Sequence, residues 1–234
     1  MTNSPTPTDA TAPSGTSGTS GAAVTPLRIL VVGAAGQAGR RITADALSRG
    51  HAVTGVVRRD GVDLGGAQVL LRDLFDLSAQ DVAGADVVVD AFGTFDPELL
   101  HQHGTSLAHL ADLVAGTDTR LIVVGSAGSL LLPDGTRLVD SPAMPAQFKP
   151  LATAMADAFD ALRARQDVRW TYVSPAIDFQ PDGPATGTYR VGGDALMMNA
   201  AGESVLSYAD FATAVVDEAE AAAHVGERIS VVSV

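Results

Sequence analysis

The 234-residue chain contains no cysteine and a single lysine, Lys149. Without cysteine, the protein can form no disulfide, thiolate metal site or cysteine nucleophile. Long apolar runs are also missing, since none approaches the roughly 20 residues that a membrane-spanning helix needs. The composition, with 46% hydrophobic and 18% charged residues, is typical of one globular domain with a sizeable core.

Basic residues are scarce, because 15 Lys and Arg stand against 27 Asp and Glu, giving a formal charge of −12. Nucleic acids and anionic membrane surfaces are bound through clustered basic side chains, so the composition argues against both as partners. We expect a cytoplasmic protein, monomeric or homodimeric, that acts on a small molecule.

The N-terminal segment, residues 1–25, is rich in Thr, Ser, Pro, Gly and Ala and carries one charge, Asp9. Such a segment buries too little apolar surface to offset the entropy cost of ordering, so we predict a disordered tail. It lacks the basic start and the apolar stretch of a signal peptide. Residues 26–234 are predicted to form one folded domain.

Apolar runs alternate with helical patterns through the rest of the chain. The predicted strands are residues 27–32, 52–57, 68–71, 86–91, 120–124, 168–173 and 228–234. Helices are predicted after the first strand to residue 47, in a short segment from residue 78, and over 96–115, 150–165 and 207–223. The alternation predicts an α/β fold with parallel βαβ units in a doubly wound sheet.

Three of the predicted helices have recognisable start signals. Ser78 with Asp81, and Ser207 with Asp210, have the spacing of a capping box. Asp96 is placed as an N-cap, followed by a proline at the first helical position.

The rest of the chain is organised around Leu27–Arg41, which reads LRILVVGAAGQAGRR. Here an apolar strand runs into Gly33, Gly36 and Gly39, after which the pattern becomes helical. Gly33 would permit a tight turn, Gly36 a close approach of phosphate to the backbone, and Gly39 close packing of helix and strand. Because helix N-termini attract anions, the segment predicts a dinucleotide pyrophosphate site, with an ordinary glycine turn as the alternative.

Two loops after strands would complete the adenosine end of such a site. Arg58 and Arg59 follow the second strand, where an arginine accommodates the 2′-phosphate of NADP; the alternative is a solvated loop. Asp73 and Leu74 follow the third strand, where adenine would lie, and Asp73 could equally be a turn-forming acid. We therefore predict a preference for NADP(H) over NAD(H).

The fourth and fifth strands end in segments predicted to lie toward the nicotinamide. Ala91, Phe92 and Gly93 follow the fourth strand, and their backbone should line the cleft, because ligands lie outside the carboxyl ends of such strands. Ser126 lies in a glycine-rich turn after the fifth strand. Its hydroxyl could bond a substrate carbonyl or the nicotinamide amide, or it could serve only the turn.

Histidine and phenylalanine side chains are further candidates for the site. His103 could line the pocket mouth or donate a proton near neutral pH, and the alternative is a surface or capping histidine. Two residues apart, His101 and His103 do not share a helix face, so no metal site is predicted. Phenylalanines in loops could form the floor of a binding site for an aromatic acceptor, although core packing is their commoner role. These phenylalanines are Phe92, Phe95, Phe148 and Phe179.

Three C-terminal motifs, together with Gly33–Gly39, resemble one family. The motifs are Trp170–Pro175 (WTYVSP), Gly187–Asp194 (GTYRVGGD) and Gly202–Ala212 (GESVLSYADFA). From about residue 27 to the C-terminus, the chain resembles the atypical short-chain dehydrogenase/reductases of the NmrA-like group, often called NADH-flavin reductases. The resemblance implies a Rossmann-type doubly wound parallel sheet with a small C-terminal substrate-side lobe, so that residues 26–234 would form one NAD(P)-binding domain.

The resemblance also implies which residues bind the cofactor. It places the pyrophosphate along the glycine turn, the 2′-phosphate or ribose at Arg58, and the nicotinamide between Phe92, Ser126 and the loop at Pro175. The predicted cofactor-binding set is Gly33, Ala35, Gly36, Gln37, Ala38, Gly39, Arg58, Asp73, Leu74, Ala91, Phe92, Gly93, Ser126 and Pro175. Ser126 and His103 are the predicted catalytic residues.

The chain departs from typical short-chain dehydrogenases at the proton donor. Those enzymes usually protonate the substrate with a Tyr-x-x-x-Lys pair, but Pro145 lies four residues before the only lysine. The three tyrosines lie elsewhere, and Phe148 stands near the expected tyrosine position. The pair is therefore absent.

Two functions from different classes are compatible with these features. The first is an NADPH-dependent reductase of a flavin or quinone-like acceptor, for which solvent can supply the proton and the missing pair matters less. The second is an NmrA-like sensor, which binds NADP without turnover and reports redox state to a partner. A nucleotide-sugar epimerase is disfavoured, because it would normally need the absent tyrosine.

Overall fold

The computed structural model describes residues 25–234. Except for its last residue, the N-terminal tail predicted over residues 1–25 lies outside the described residues. In the part of the chain that is described, no helix is both long and apolar enough to cross a membrane.

Ten strands and five helices make up the described fold. The strands are β1 (Arg28–Val32), β2 (Ala52–Val57), β3 (Gln68–Leu71), β4 (Val87–Asp90), β5 (Arg120–Val124), β6 (Arg169–Ser174), β7 (Asp178–Gln180), β8 (Arg190–Gly192), β9 (Val205–Ser207) and β10 (Glu227–Val232). The helices are α1 (Gln37–Ser48), α2 (Ala79–Val82), α3 (Gln102–Val114), α4 (Lys149–Arg163) and α5 (Tyr208–Ala221).

Eight strands form one sheet in the order β3-β2-β1-β4-β5-β6-β10-β8. All neighbours in it pair in parallel except β10 and β8, which are antiparallel. The chain order reverses beside β1, because β2 lies on one side of it and β4 on the other. This arrangement confirms the predicted doubly wound α/β sheet, and it leaves a crevice at the carboxyl ends of β1 and β4.

Helices cover both faces of the sheet, which explains the continuous apolar runs of β1 and β4. On one face, α1 and α5 pack over a core that includes Ile29, Val31 and Phe211. On the other face, α3 and α4 pack over a core that includes Leu110 and Phe159. Strands buried on both faces need no alternation of polar and apolar residues, and β4 reads VVVD.

The structure corrects two details of the predicted elements. The helix expected over residues 96–115 is divided, because Asp96 caps a short 3₁₀ turn over Pro97–Leu99 and α3 starts only at Gln102. The strands β7, β8 and β9 were not predicted. Each has three residues and is held by pairing with distant segments, a signal that local periodicity does not carry.

The C-terminal segment between β6 and α5 contains the small two-stranded sheet of β7 and β9. Phe179 of this sheet stacks on Tyr208, with ring centroids 3.7 Å apart. The predicted capping box at α5 is half present: Ser207 accepts from the amide of Asp210. The carboxylate of Asp210 instead accepts from the amides of Thr186 and Gly187, so it anchors the preceding loop.

Two close approaches fix where α1 begins relative to the sheet. Gly33 has φ of +77°, and a Cβ there would lie 2.6 Å from the carbonyl oxygen of Ala91 after β4. A Cβ on Gly39 would overlap the carbonyl oxygen of Gly33. These contacts bring the first turn of α1 against the ends of β1 and β4, as the predicted roles of both glycines require.

We predict that Gly39→Ala destabilises the fold, whereas the same substitution at Gly104 does not. Both glycines lie in helices, but a Cβ on Gly104 meets no atom within 4 Å. Ala is favoured over Gly within a helix, so Gly104→Ala should raise the free energy of unfolding by about 0.5–1 kcal/mol. Gly39→Ala should lower it by about 1–3 kcal/mol through overpacking. Urea unfolding of both variants measures this, and equal shifts would contradict the account.

Candidate functional site

A cleft of about 300 Å³ lies at the carboxyl edge of the sheet. Its walls come from the segments that follow β1, β2, β3 and β4, together with Gln102 of α3. The predicted cofactor residues that line it are Gly33, Ala35, Gly36, Arg58, Asp73, Leu74, Ala91, Phe92 and Gly93. The structure thus brings four separately predicted segments to one site.

The first turn of α1 opens toward this cleft. Gly36 is the N-cap of α1, with φ −73° and ψ 173°, and its amide donates to the carbonyl of Gly33 at 2.9 Å. No side chain caps the helix, and its first turn contains no acid. The amides of Gln37 and Ala38 therefore retain their hydrogen-bonding capacity, and the helix dipole favours an anion beside them.

Two arginines line the cleft without a paired carboxylate. Arg58 and Arg59 are exposed and form no ion pair with any residue from 25 to 234. Arg72 also lines the cleft, but its Nη1 lies 2.6 Å from Asp81 Oδ2. Asp60 accepts from the amide of the residue after it and does not line the cleft. The free positive charge of this wall therefore lies on Arg58 and Arg59.

Asp73 both forms a turn and lines the cleft, the two roles considered for it from the sequence. Its Oδ1 accepts from the amide of Phe75 at 3.0 Å, which caps a 3₁₀ turn over Leu74–Asp76. It also lines the cleft, next to the buried Leu74. The turn-forming role and the cleft position are therefore compatible.

The turn after β4 forms the wall opposite Arg58 and is held by a buried carboxylate. Asp90, the last residue of β4, is 5% exposed, and its Oδ1 accepts from the amide of Phe92 at 3.0 Å. Burial raises the pKa of Asp90 to about 6, against the opposite effect of the Phe92 N–H. Asp90 was not among the predicted site residues, although it is the one polar residue that ends an otherwise all-valine strand.

His103 is buried, so it is not a surface or capping histidine, and it does not line the mouth of the cleft either. Its side chain lies behind the cleft, with Nε2 3.0 Å from the carbonyl oxygen of Thr94. Its ring centroid is 5.6 Å from that of Phe92. Burial lowers the pKa of His103, partly opposed by the bond to Thr94. The histidine that starts α3 as N-cap is His101.

Five of the predicted cofactor residues do not line the cleft: Gln37, Ala38 and Gly39 of α1, Ser126 and Pro175. Ser126 is half-buried in the loop after β5, and its Oγ accepts from the amide of Gly128 at 3.4 Å. Pro175 is buried after β6. Ser126 and Pro175 both follow strands that end at the same edge of the sheet as β4, which is compatible with a position near the nicotinamide. Their contact with the nicotinamide stays a prediction.

Of the four phenylalanines proposed around the cleft, only Phe92 lines it. Phe95 and Phe148 are exposed, at 78% and 51%, and Phe179 packs on Tyr208 in the C-terminal segment. Phe95, Phe148 and Phe179 therefore do not line the cleft, and their contact with an aromatic acceptor stays a prediction. Within residues 25–234, no group of three or more His, Cys, Asp or Glu is arranged to hold a metal ion.

Comparison with known families assigns the chain to a class. Residues 33–222 match the sequence profile of a family described as NAD(P)H-binding. Since the match covers most of the chain, the protein belongs to this NAD(P)H-binding family. The matched region begins at Gly33, the first glycine of the turn that lines the cleft.

Similar proteins share the length and fold of the described chain. The uncharacterized protein YwnB of Bacillus subtilis (strain 168) is 40% identical over 211 residues, covering 88% of this chain and 99% of YwnB. The structure of SP1627 from Streptococcus pneumoniae TIGR4, titled "a putative NADH-flavin reductase", is 44% identical with a TM-score of 0.86, covering 89% of this chain and 100% of that one. A "putative epimerase" structure from Bacteroides thetaiotaomicron is 31% identical with a TM-score of 0.79, covering 90% and 98%. These likenesses confirm the Rossmann-type fold.

The buried carboxylate of Asp90 makes a prediction about stability. Its pKa in the folded protein lies above the ordinary value of 3.8, so the folded state holds this proton more tightly than the unfolded chain does. Stability is therefore lost as pH rises from about 4 to about 6. Asp90→Asn keeps an oxygen for the Phe92 amide but cannot ionise. We expect it to be more stable than the wild type by about 2–3 kcal/mol near pH 8, and almost equal near pH 4.

Urea unfolding at the two pH values measures this difference, and Asp86→Asn is the matched control. Asp86 precedes the same strand, and hydrogen bonds from Arg28 lower its pKa. Its substitution should therefore destabilise the protein near pH 8. A stability gain in Asp90→Asn that does not change with pH would contradict the raised pKa.

Proposed function

We propose that the protein is an NADPH-dependent reductase of a flavin or quinone-like acceptor, acting in the cytoplasm as a monomer or homodimer. The observation that carries this proposal is the meeting of the uncapped α1 N-terminus with two unpaired arginines in one cleft. Membership of the NAD(P)H-binding family supports the cofactor class. The similarity to the Streptococcus pneumoniae protein, which is described as an NADH-flavin reductase, supports the acceptor class.

The cleft fits a dinucleotide at its phosphate-binding end. The amides of Gln37, Ala38 and Gly39 in the first turn of α1 would hold the diphosphate. Gly36 is exposed at the N-cap and has no side chain to keep phosphate away from these amides. Ala35 completes the turn and also lines the cleft.

The adenosine end would lie toward β2 and β3. Arg58 and Arg59, which have no carboxylate partner within residues 25–234, would pair with a 2′-phosphate and favour NADP(H) over NAD(H). Asp73 and Leu74 would border the adenine, with Leu74 supplying an apolar contact.

The nicotinamide would lie toward β4 and β5, between the Ala91–Gly93 turn, Ser126 and Pro175. When bound, a reduced nicotinamide supplies a hydride. The protein would orient the two rings and hold the acceptor with Ser126, because hydride transfer to a conjugated ring depends mainly on position. His103 is enclosed behind Phe92, so it is not proposed to touch the acceptor.

A redox sensor without turnover is the second candidate. One observation favours it: no tyrosine side chain in residues 25–234 is placed as the usual acid. Tyr172 is buried, Tyr189 bonds Asp217, and Tyr208 stacks on Phe179. A protein of this kind would bind NADP(H) in the same cleft and present its bound state to a partner.

We predict that the wild type oxidises NADPH only when a flavin or a small quinone is present. The measurement is loss of dihydronicotinamide absorbance with FMN, riboflavin or a water-soluble benzoquinone. Gly36→Asp should abolish turnover, because it places a carboxylate where the diphosphate binds, and Gly36→Asn is the uncharged control. Tight NADPH binding with no turnover on any acceptor would favour the sensor.

We predict that Arg58→Ala weakens NADPH binding by about 10- to 100-fold and leaves NADH binding nearly unchanged. The loss corresponds to a charge-assisted contact with the 2′-phosphate, about 1.5–3 kcal/mol. Calorimetric titration with both nucleotides measures it. Arg169→Ala, at the amino end of β6, is the matched control and should change neither affinity. Equal losses for NADPH and NADH would contradict the assignment of Arg58.

A further inference from the structure

A second, much smaller cavity lies behind the turn after β4. Its volume is about 20 Å³, which is room for one water molecule. Phe92 lines both this cavity and the cofactor cleft. Four polar side chains contribute to its wall: Asp90, His103, Ser106 and Tyr172. An interior site with this many polar groups is suited to an ordered water.

Asp90 is ionisable, although its structural role requires only a hydrogen-bond acceptor. Its only hydrogen bond within the described chain is the one from Phe92 to Oδ1, so Oδ2 is free to bond a water in the cavity. No Lys, Arg or His in residues 25–234 pairs with it. Burying an ionisable group without a counter-charge is costly, and an asparagine would hold the Phe92 amide as well. What an aspartic acid offers here and an asparagine does not is a carboxyl proton that can be transferred.

Tyr172 connects the cavity to the loop after β5. Its hydroxyl donates to the carbonyl oxygen of Met155 at 3.5 Å. Its ring packs against Gly125, the residue before Ser126, where an added Cβ would overlap it, and lies 4.5 Å from the ring of Phe159. The packing places Tyr172 at the cavity and beside the loop that carries Ser126. Burial raises the pKa of Tyr172 to about 12, so the phenol stays protonated.

The other groups that face this cavity are not acids. On α3, His103 presents Nε2 to the carbonyl of Thr94, which can only accept, so Nε2 carries the proton and burial disfavours a second one. Ser106 of α3 bonds the backbone of its own helix. From α4 come only Met155 and Ala158. Arg228 of β10 acts on Tyr172 at longer range, but its guanidinium is bonded to Asp194 and Ser129.

We propose that Asp90, a water in this cavity and Tyr172 form an internal proton path that ends at Ser126 and supplies the acceptor's proton. This proposal rests on the proposed function. This path would deliver the proton that a Tyr-x-x-x-Lys pair supplies in typical short-chain dehydrogenases, and it would deliver it from the side of the β4 turn that faces away from the cleft. Asp90 and Tyr172 act through Ser126 and are therefore positioning residues, while Ser126 touches the acceptor.

The proton balance can be written for a quinone. The quinone receives the hydride, with its electron pair, and becomes a hydroquinone monoanion. Ser126 Oγ gives its proton to that anionic oxygen and takes one from Tyr172 Oη. Tyr172 Oη is reprotonated by the cavity water, and the water by the Asp90 carboxyl. Solvent then returns one proton to the Asp90 carboxylate, so the net reaction consumes one hydride and one proton.

Single-turnover reduction of a water-soluble benzoquinone by saturating NADPH, followed from about pH 5 to about pH 8, tests the path. Because the carboxyl must be protonated, the wild-type rate should fall about tenfold per pH unit above about pH 6. Asp90→Asn and Tyr172→Phe should be slower on the order of 10²-fold near pH 5 and show no such fall. Near pH 8 their rates should converge with the wild type. Asp86→Asn is the matched control and should keep the wild-type profile.

Two further measurements distinguish the possible outcomes. NADPH titration of each variant shows that its cleft is intact, and the ratio of rates in H₂O and D₂O reports proton transfer. Wild-type-like profiles in both Asp90→Asn and Tyr172→Phe, with solvent isotope effects unchanged, would overturn the path and leave the reductase function standing. A wild type that binds NADPH but reduces no acceptor would overturn the proposed function, and the path with it.

Discussion

The site depends on the close packing of the first turn of α1 against the ends of β1 and β4. Three backbone segments meet there, at Gly33, Gly39 and Ala91, with no room for a side chain at either glycine. The packing fixes the helix axis, and the helix axis aims its free amides at the crevice where the chain order reverses. Most other cleft residues follow β2 and β4, which pair with β1, or β3, which pairs with β2, so a shift of this junction would displace them.

The cleft has a local positive charge that the acidic overall composition does not indicate. The chain is strongly acidic, with a net charge of −12, yet the wall formed after β2 carries two arginines that form no ion pair within the described part of the chain. The neighbouring Arg72 is neutralised by Asp81, which leaves the positive potential localised at Arg58 and Arg59. On the other side of the cleft, Asp90 is buried behind the turn after β4, with no counter-ion among residues 25–234. The two arginines and this carboxyl group therefore lie on opposite sides of the cleft.

The elements that could be predicted from sequence are those with local signals. The glycine turn, the apolar strands and the capping box of Ser78 with Asp81 all depend on neighbours within a few residues, and the structure has them. The burial of His103 depends on the course of the chain at Thr94, and the strands β7, β8 and β9 depend on distant partners. Asp90 had a readable signal, because a polar residue at the end of an all-valine strand needs a reason.

A crystal structure of the protein with NADP⁺ tests the central claim most directly. The account predicts that diphosphate oxygens lie within hydrogen-bonding distance of the amides that begin α1, with the 2′-phosphate beside Arg58. A nucleotide bound elsewhere on the molecule, or a diphosphate directed away from those amides, would contradict it.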